Sequence, residues 1–150
     1  MEAKTVQIPF RDPQLKPTWA ALSRLGGDQV SILFEELRSR LSKIEGIVES
    51  REYEPSEGWL ASYRTAAGKL CQVQILPGVL TGIIDFSVAQ LKSVSEWPRC
   101  SNFIKGIIGP FRDHRSTLRI KFPLQQKPQV ASFAVLVIWL NRVEKGGRHN

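Results

Sequence analysis

The sequence predicts an α+β fold: an antiparallel sheet of about five strands in α-α-β-β-β-β-α-α-β-α order, with the helices packed on one face. Three observations carry that prediction. Apolar residues recur at helical spacing through residues 28–46, and the period changes to two across residues 47–86. The alternating segments are joined by turns too short for a parallel crossover, which needs a dozen or more residues. Strands in sequence with helices at both ends give α+β, and the opposite sheet face is left to solvent or a partner.

Taken in order, residues 1–16, with Pro9 and Pro13, read as an extended arm. Residues 17–147 read as one domain and 148–150 as a polar tail. Thr18 is placed to cap a short helix over Trp19–Leu25, which Gly26-Gly27 stops. Asp28 caps a longer helix whose Val30, Leu33, Phe34, Leu37, Leu41 and Ile44 form one apolar stripe, ended by Gly46. Its other face, with Glu35, Glu36, Arg38, Arg40 and Lys43, reads as solvated. Ile47–Tyr53 is the first strand, closed by Pro55-Ser56. Trp59, Ala61 and Tyr63 alternate along the second, Leu70–Leu76 is the third, and Pro77-Gly78 turns it into the fourth, Val79–Phe86.

Ser87–Ser95 reads as a short helix. Ser101–Gly109 has no clean period and is assigned as a second one. Arg115–Phe122 is the fifth strand: Leu118, Ile120 and Phe122 point one way, while Arg115, Thr117, Arg119 and Lys121 point the other. Pro128–Glu144 is the last helix, its length deciding against a buried strand.

Composition fits one ordinary domain. Of 150 residues, 42% are hydrophobic and 23% charged, and the formal charge is +7. That charge is lopsided. The first 75 residues hold ten basic and ten acidic side chains, whereas the second 75 hold eleven and four. No apolar run approaches the ~18–20 residues of a membrane span, and no basic-then-apolar leader opens the chain, so the expectation is a cytoplasmic protein without membrane contact. Two cysteines suit a reducing compartment. Cys71 alternates with core positions, and Cys100, beside Arg99, reads as the more exposed and more reactive thiol. There is no phosphate-binding glycine loop and no zinc-ligand spacing, so no cofactor and no metal are expected.

The candidate binding residues lie in two groups. Arg112, Arg115, Arg119 and Lys121 cluster at the fifth strand, where 115, 119 and 121 share a face at a spacing comparable to that of phosphates along a strand. Lys92, Arg99 and Lys105 extend the patch if the short helices fold nearby. Such a face binds an anionic ligand or nucleic acid, and its bland alternative is an edge strand kept soluble by cations. The second group is Trp59 and Tyr63, which line a small-molecule or enzymatic pocket or else belong to the core. His114 beside Asp113 is the one sequence-local acid–imidazole neighbour, although adjacent residues need not face each other. Glu52 and Glu54 share a strand face on which carboxylates meet a hard cation or simply face water.

Three stretches also carry a resemblance. They are Pro17-Thr18-Trp19-Ala20-Ala21-Leu22 with Leu25-Gly26, the meander through Trp59, Tyr63, Lys69-Leu70-Cys71 and Gly82-Ile83-Ile84-Asp85-Phe86, and Ser116-Thr117-Leu118-Arg119-Ile120-Lys121-Phe122-Pro123-Leu124 before a closing helix. Together they resemble the small bacterial families of unknown function that include the YdhG-like proteins. The resemblance covers about residues 15–146 and implies a frataxin-like α+β sandwich. It also implies, for some members, iron carriage through exposed carboxylates. This chain departs from that pattern, because Arg38, Arg40 and Lys43 stand among Glu35, Glu36 and Glu45 on its long helix. The expected function is a small non-enzymatic binding protein, a monomer or small homo-oligomer, contacting an anionic ligand through a basic strand face. The alternatives are a pocket around Trp59 and Tyr63, or the iron carrier of the resemblance.

Overall fold

The structure is a computed structural model that describes residues 12–147, with side chains through residue 143. Most of the expected arm and the whole tail lie outside the described residues. The elements are α1 (Trp19–Arg24), α2 (Asp28–Leu41), β1 (Val48–Glu54), β2 (Gly58–Thr65), β3 (Gly68–Leu76), β4 (Val79–Phe86), α3 (Val88–Ser95), α4 (Asn102–Ile108), β5 (Leu118–Pro123) and α5 (Lys127–Gly147), with a 3-10 turn at Gly109–Phe111 after α4. The five strands form one antiparallel meander in the order β1-β2-β3-β4-β5. The helices pack on one face, and none of those described is long and apolar enough to cross a membrane.

Local chemistry sets most boundaries. The Thr18 hydroxyl accepts from the Ala21 amide and opens α1. Ser87 and Gln90 form a reciprocal capping box at α3, and Ser101 caps α4. Two expected starts are corrected. Asp28 does not cap α2: Gly27, at φ 92°, is the cap residue and Asp28 is the first helical position. The fifth strand begins at Leu118, not Arg115, because β4 ends at Phe86 and Phe86 pairs with Leu118, leaving residues 115–117 no strand to pair with among the described residues. The last helix runs past Glu144 to Gly147.

The core lies between the helices and the sheet. Leu33, Phe34, Leu37 and Leu41 of α2 and Val130, Phe133 and Val137 of α5 bury against Val73, Ile75, Ile84, Phe86, Ile120 and Phe122. Helix α5 descends onto the sheet at Gly82, where a Cβ would meet the Phe133 ring at 2.5 Å.

The opposite face is not flat. In an untwisted sheet four strand spacings put β1 and β5 on the order of 19 Å apart. Yet Arg119 of β5 donates to Glu54, the last residue of β1, at 2.6 Å. Lys121 meets Glu57, in the β1–β2 turn, at 2.7 Å, and Gln74 donates to the same carboxylate at 2.9 Å. Accumulated right-handed twist therefore swings the tip of the β1–β2 hairpin over this face and onto β5. Under that roof Leu60, Ser62, Gln72, Gln74 and Ile83 are buried although no helix among the described residues covers them.

Candidate functional site

The six residues expected to contact a ligand fall in three places. Arg119 is held within the molecule. Its Nε donates to Asp85 at 2.7 Å, its Nη1 to Glu54 at 2.6 Å, and its Nη2 to both carboxylates at 3.1 Å. Lys69 also reaches Asp85, at 3.0 Å. Hydrogen bonding to Arg119 is the first cause that holds the carboxyls of Glu54 and Asp85 below the usual range, outweighing the opposing effect of burial. Lys121 is paired with Glu57. The strand face read as a free basic strip is thus neutralised, and its cations latch the hairpin in place. Glu52, read as a partner of Glu54 for a cation, is instead paired with Arg64.

Arg112 and Arg115 lie elsewhere, in the exposed segment between α4 and β5. Arg112 has only a loose contact with Asp113, at 3.9 Å, with both side chains largely in solvent. They line an open depression of about 350 Å³ together with Lys92, Ser95 and Glu96 of the α3 end. A second depression, of about 200 Å³, shares Ser95 and Arg112 and adds Lys105. The short helices therefore do bring Lys92 and Lys105 to Arg112 and Arg115. Residues 88–115 carry five Lys/Arg against Glu96 and Asp113. Lys92, Arg99, Lys105 and Arg115 form no ion pair among the described residues. This segment thus carries three of the seven excess charges of the second half. His114 belongs to it as well, but its ring meets the Ser116 hydroxyl at 3.1 Å while Asp113 faces Arg112.

Trp59 and Tyr63 both sit on the helix face of β2, opposite Tyr53 and Glu49. They do not share a pocket. The Trp59 indole donates to the Asp12 carbonyl at 2.9 Å and packs edge-on against Tyr53, so it ties the start of the described chain to the sheet. Tyr63 is buried, and its hydroxyl donates to Glu49 at 2.8 Å. Burial foremost, then the adjacent carboxylate, pushes that phenol well above its ordinary value.

Around Tyr63 lies a groove of about 500 Å³ between α2 and β1 that local sequence did not disclose. Arg38 of α2 donates to Glu49 through Nε at 2.9 Å and Nη2 at 2.8 Å, and to Glu35 through Nη1 at 3.0 Å. Its guanidinium lies 4.8 Å from the centre of the Trp19 ring. The Ser23 hydroxyl donates to Glu35 at 3.0 Å. Read along the helix, Glu35 and Arg38 are a solvated pair; only the fold delivers Glu49 and Tyr63 to them.

Cys100 is corrected too. It is buried rather than exposed, and burial raises its thiol pKa, with nearby Lys105 only partly opposing. Cys71 is buried in the core and its thiol is pushed up by the same cause. Among the described residues no group of three His, Cys, Asp or Glu side chains is arranged to hold a metal ion. No protein-family model, curated protein or solved structure matches this chain.

Proposed function

We propose that this chain is a non-enzymatic binding module that contacts an anionic ligand, most simply a phosphate-bearing polyanion such as nucleic acid, at the α3–α4 corner. The observation that supports this reading is the sorting of cations. Arg119 and Lys121 are paired within the molecule, whereas Lys92, Lys105, Arg112 and Arg115 gather on exposed surface with two carboxylates among them. Arg112 and Arg115 keep the role expected of them; Arg119 and Lys121 pass to a structural one. Contacts of this kind are strongly salt-dependent and carry no sequence preference by themselves. Kinship with the YdhG-like families, with their frataxin-like sandwich, is likewise proposed, supported by the element order and the strings that carry the likeness.

The test is a fluorescence titration of a short DNA duplex at roughly 50 and 200 mM salt. Four phosphate contacts give a log–log slope of about −3.6, so affinity should fall about a hundredfold. Binding that is absent at low salt, or indifferent to salt, refutes the reading.

A further inference from the structure

We propose that the groove between α2 and β1 binds the ammonium group of a small hydrophilic cation of the polyamine class. It is an open depression whose volume, about 500 Å³, falls within the range of small-molecule sites. Two carboxylates, Glu35 and Glu49, face one guanidinium, Arg38, so the groove carries a net negative charge on a protein of charge +7. The two carboxylates are not equivalent. Glu49 is engaged by Arg38 and by the buried Tyr63 hydroxyl, and its side chain is 27% exposed. Glu35 accepts from one nitrogen of Arg38 on both oxygens and from the Ser23 hydroxyl on one, but it is 51% exposed, so its remaining lone pairs face the groove surface.

The neighbouring groups narrow the ligand further. Ser39 and Ser42 line the same groove, and the Ser42 hydroxyl already donates to the Ser39 carbonyl, leaving its oxygen free to accept. An ammonium group has three donors and no acceptor, which suits a carboxylate flanked by hydroxyl oxygens. Among the described residues Ile47 and Tyr63 are the only apolar lining, too little for a hydrophobic ligand. An anion would have to approach two carboxylates to reach Arg38, whose Nε and both terminal nitrogens are already committed to them. This site shares no element with the anion-binding corner and has the opposite charge, so either can fail without the other.

The experiment is isothermal titration calorimetry of the full chain with spermidine. Saturable one-to-one binding is expected. Glu35→Gln should weaken it about tenfold or more, the scale of one charge-assisted contact, with the thermal melt showing that the variant is folded. Ser39→Lys, at an exposed α2 position, places a cation in the groove and should abolish binding. Glu45→Gln, an exposed carboxylate outside the groove, should leave it unchanged. No saturable heat with millimolar spermidine overturns the proposal. So does an affinity that Glu35→Gln and Ser39→Lys leave intact, or one that Glu45→Gln lowers equally.

Discussion

Arg119→Met removes the latch while keeping the length of the side chain. Two bidentate contacts are lost, to Glu54 at the hairpin tip and to Asp85 on β4, which leaves Asp85 with Lys69 as its cation. Contacts to charged groups contribute about 1.5–3 kcal/mol each when well sheltered. These side chains are 24–29% exposed, so solvent screening reduces that value. A loss of roughly 2–4 kcal/mol is expected. At about 3 °C per kcal/mol for a chain of this size, the melting temperature should drop by roughly 6–12 °C. The pH dependence is a sharper test. The folded-state pKa values of Glu54 and Asp85 are depressed, so their contribution is complete above the unfolded values near 4 and is lost as pH falls through the folded ones. Urea denaturation should therefore show a wild-type advantage at pH 7 that narrows as the pH falls below the unfolded carboxyl values near 4. Hydrogen exchange in the β1–β2 turn should quicken in the variant at neutral pH. An unchanged melt, or a stability gap that stays constant on acidification, refutes the latch.

Three further outcomes follow from the packing. Gly82→Ala forces a methyl group into the buried Phe133 ring and should cost about 1–3 kcal/mol in urea denaturation; an unchanged midpoint contradicts the close approach. Tyr63→Phe removes one hydrogen bond to Glu49 but leaves the Arg38 pair, so a loss of about 1–2 kcal/mol is expected, and no loss would show that the hydroxyl is equally well solvated elsewhere. Cys71 and Cys100 are buried with raised thiol pKa values, so iodoacetamide at neutral pH should label them slowly until denaturant is added. Rapid stoichiometric labelling of the native protein contradicts that placement.

Elements whose signals are local were legible. Val79–Phe86 is a strand with the expected ends, because a proline–glycine turn precedes it and a capping serine follows. The apolar stripe of α2 is buried as its spacing requires, down to Ile44 beyond the helix end. Misreadings arose where a distant partner decides. The alternation of residues 115–122 is genuine, but a strand extends only as far as its neighbour, and β4 stops at Phe86. Arg119 looks free in the sequence because the carboxylates that hold it are 34 and 65 residues away, and sequence periodicity says nothing about which corners of a twisted sheet meet. The same reason hides the groove, where Arg38 and Glu49 come together from a helix and a strand. Net charge pointed to the second half of the chain and selected its conspicuous strand. Exposed cations without an ion pair among the described residues stand instead on the short helices and the loop beside it, and also on α5 at Lys127 and Arg142.

The sorting of cations is tested most directly by the salt dependence of duplex DNA binding in two paired variants. One combines Lys92→Gln, Lys105→Gln, Arg112→Gln and Arg115→Gln; the other is Lys121→Gln, which removes a strand cation already paired with Glu57. The corner variant should lower the magnitude of the log–log slope by about one per residue and nearly abolish binding, while Lys121→Gln keeps the wild-type slope. An unchanged slope in the corner variant, or a loss carried equally by Lys121→Gln, contradicts the assignment.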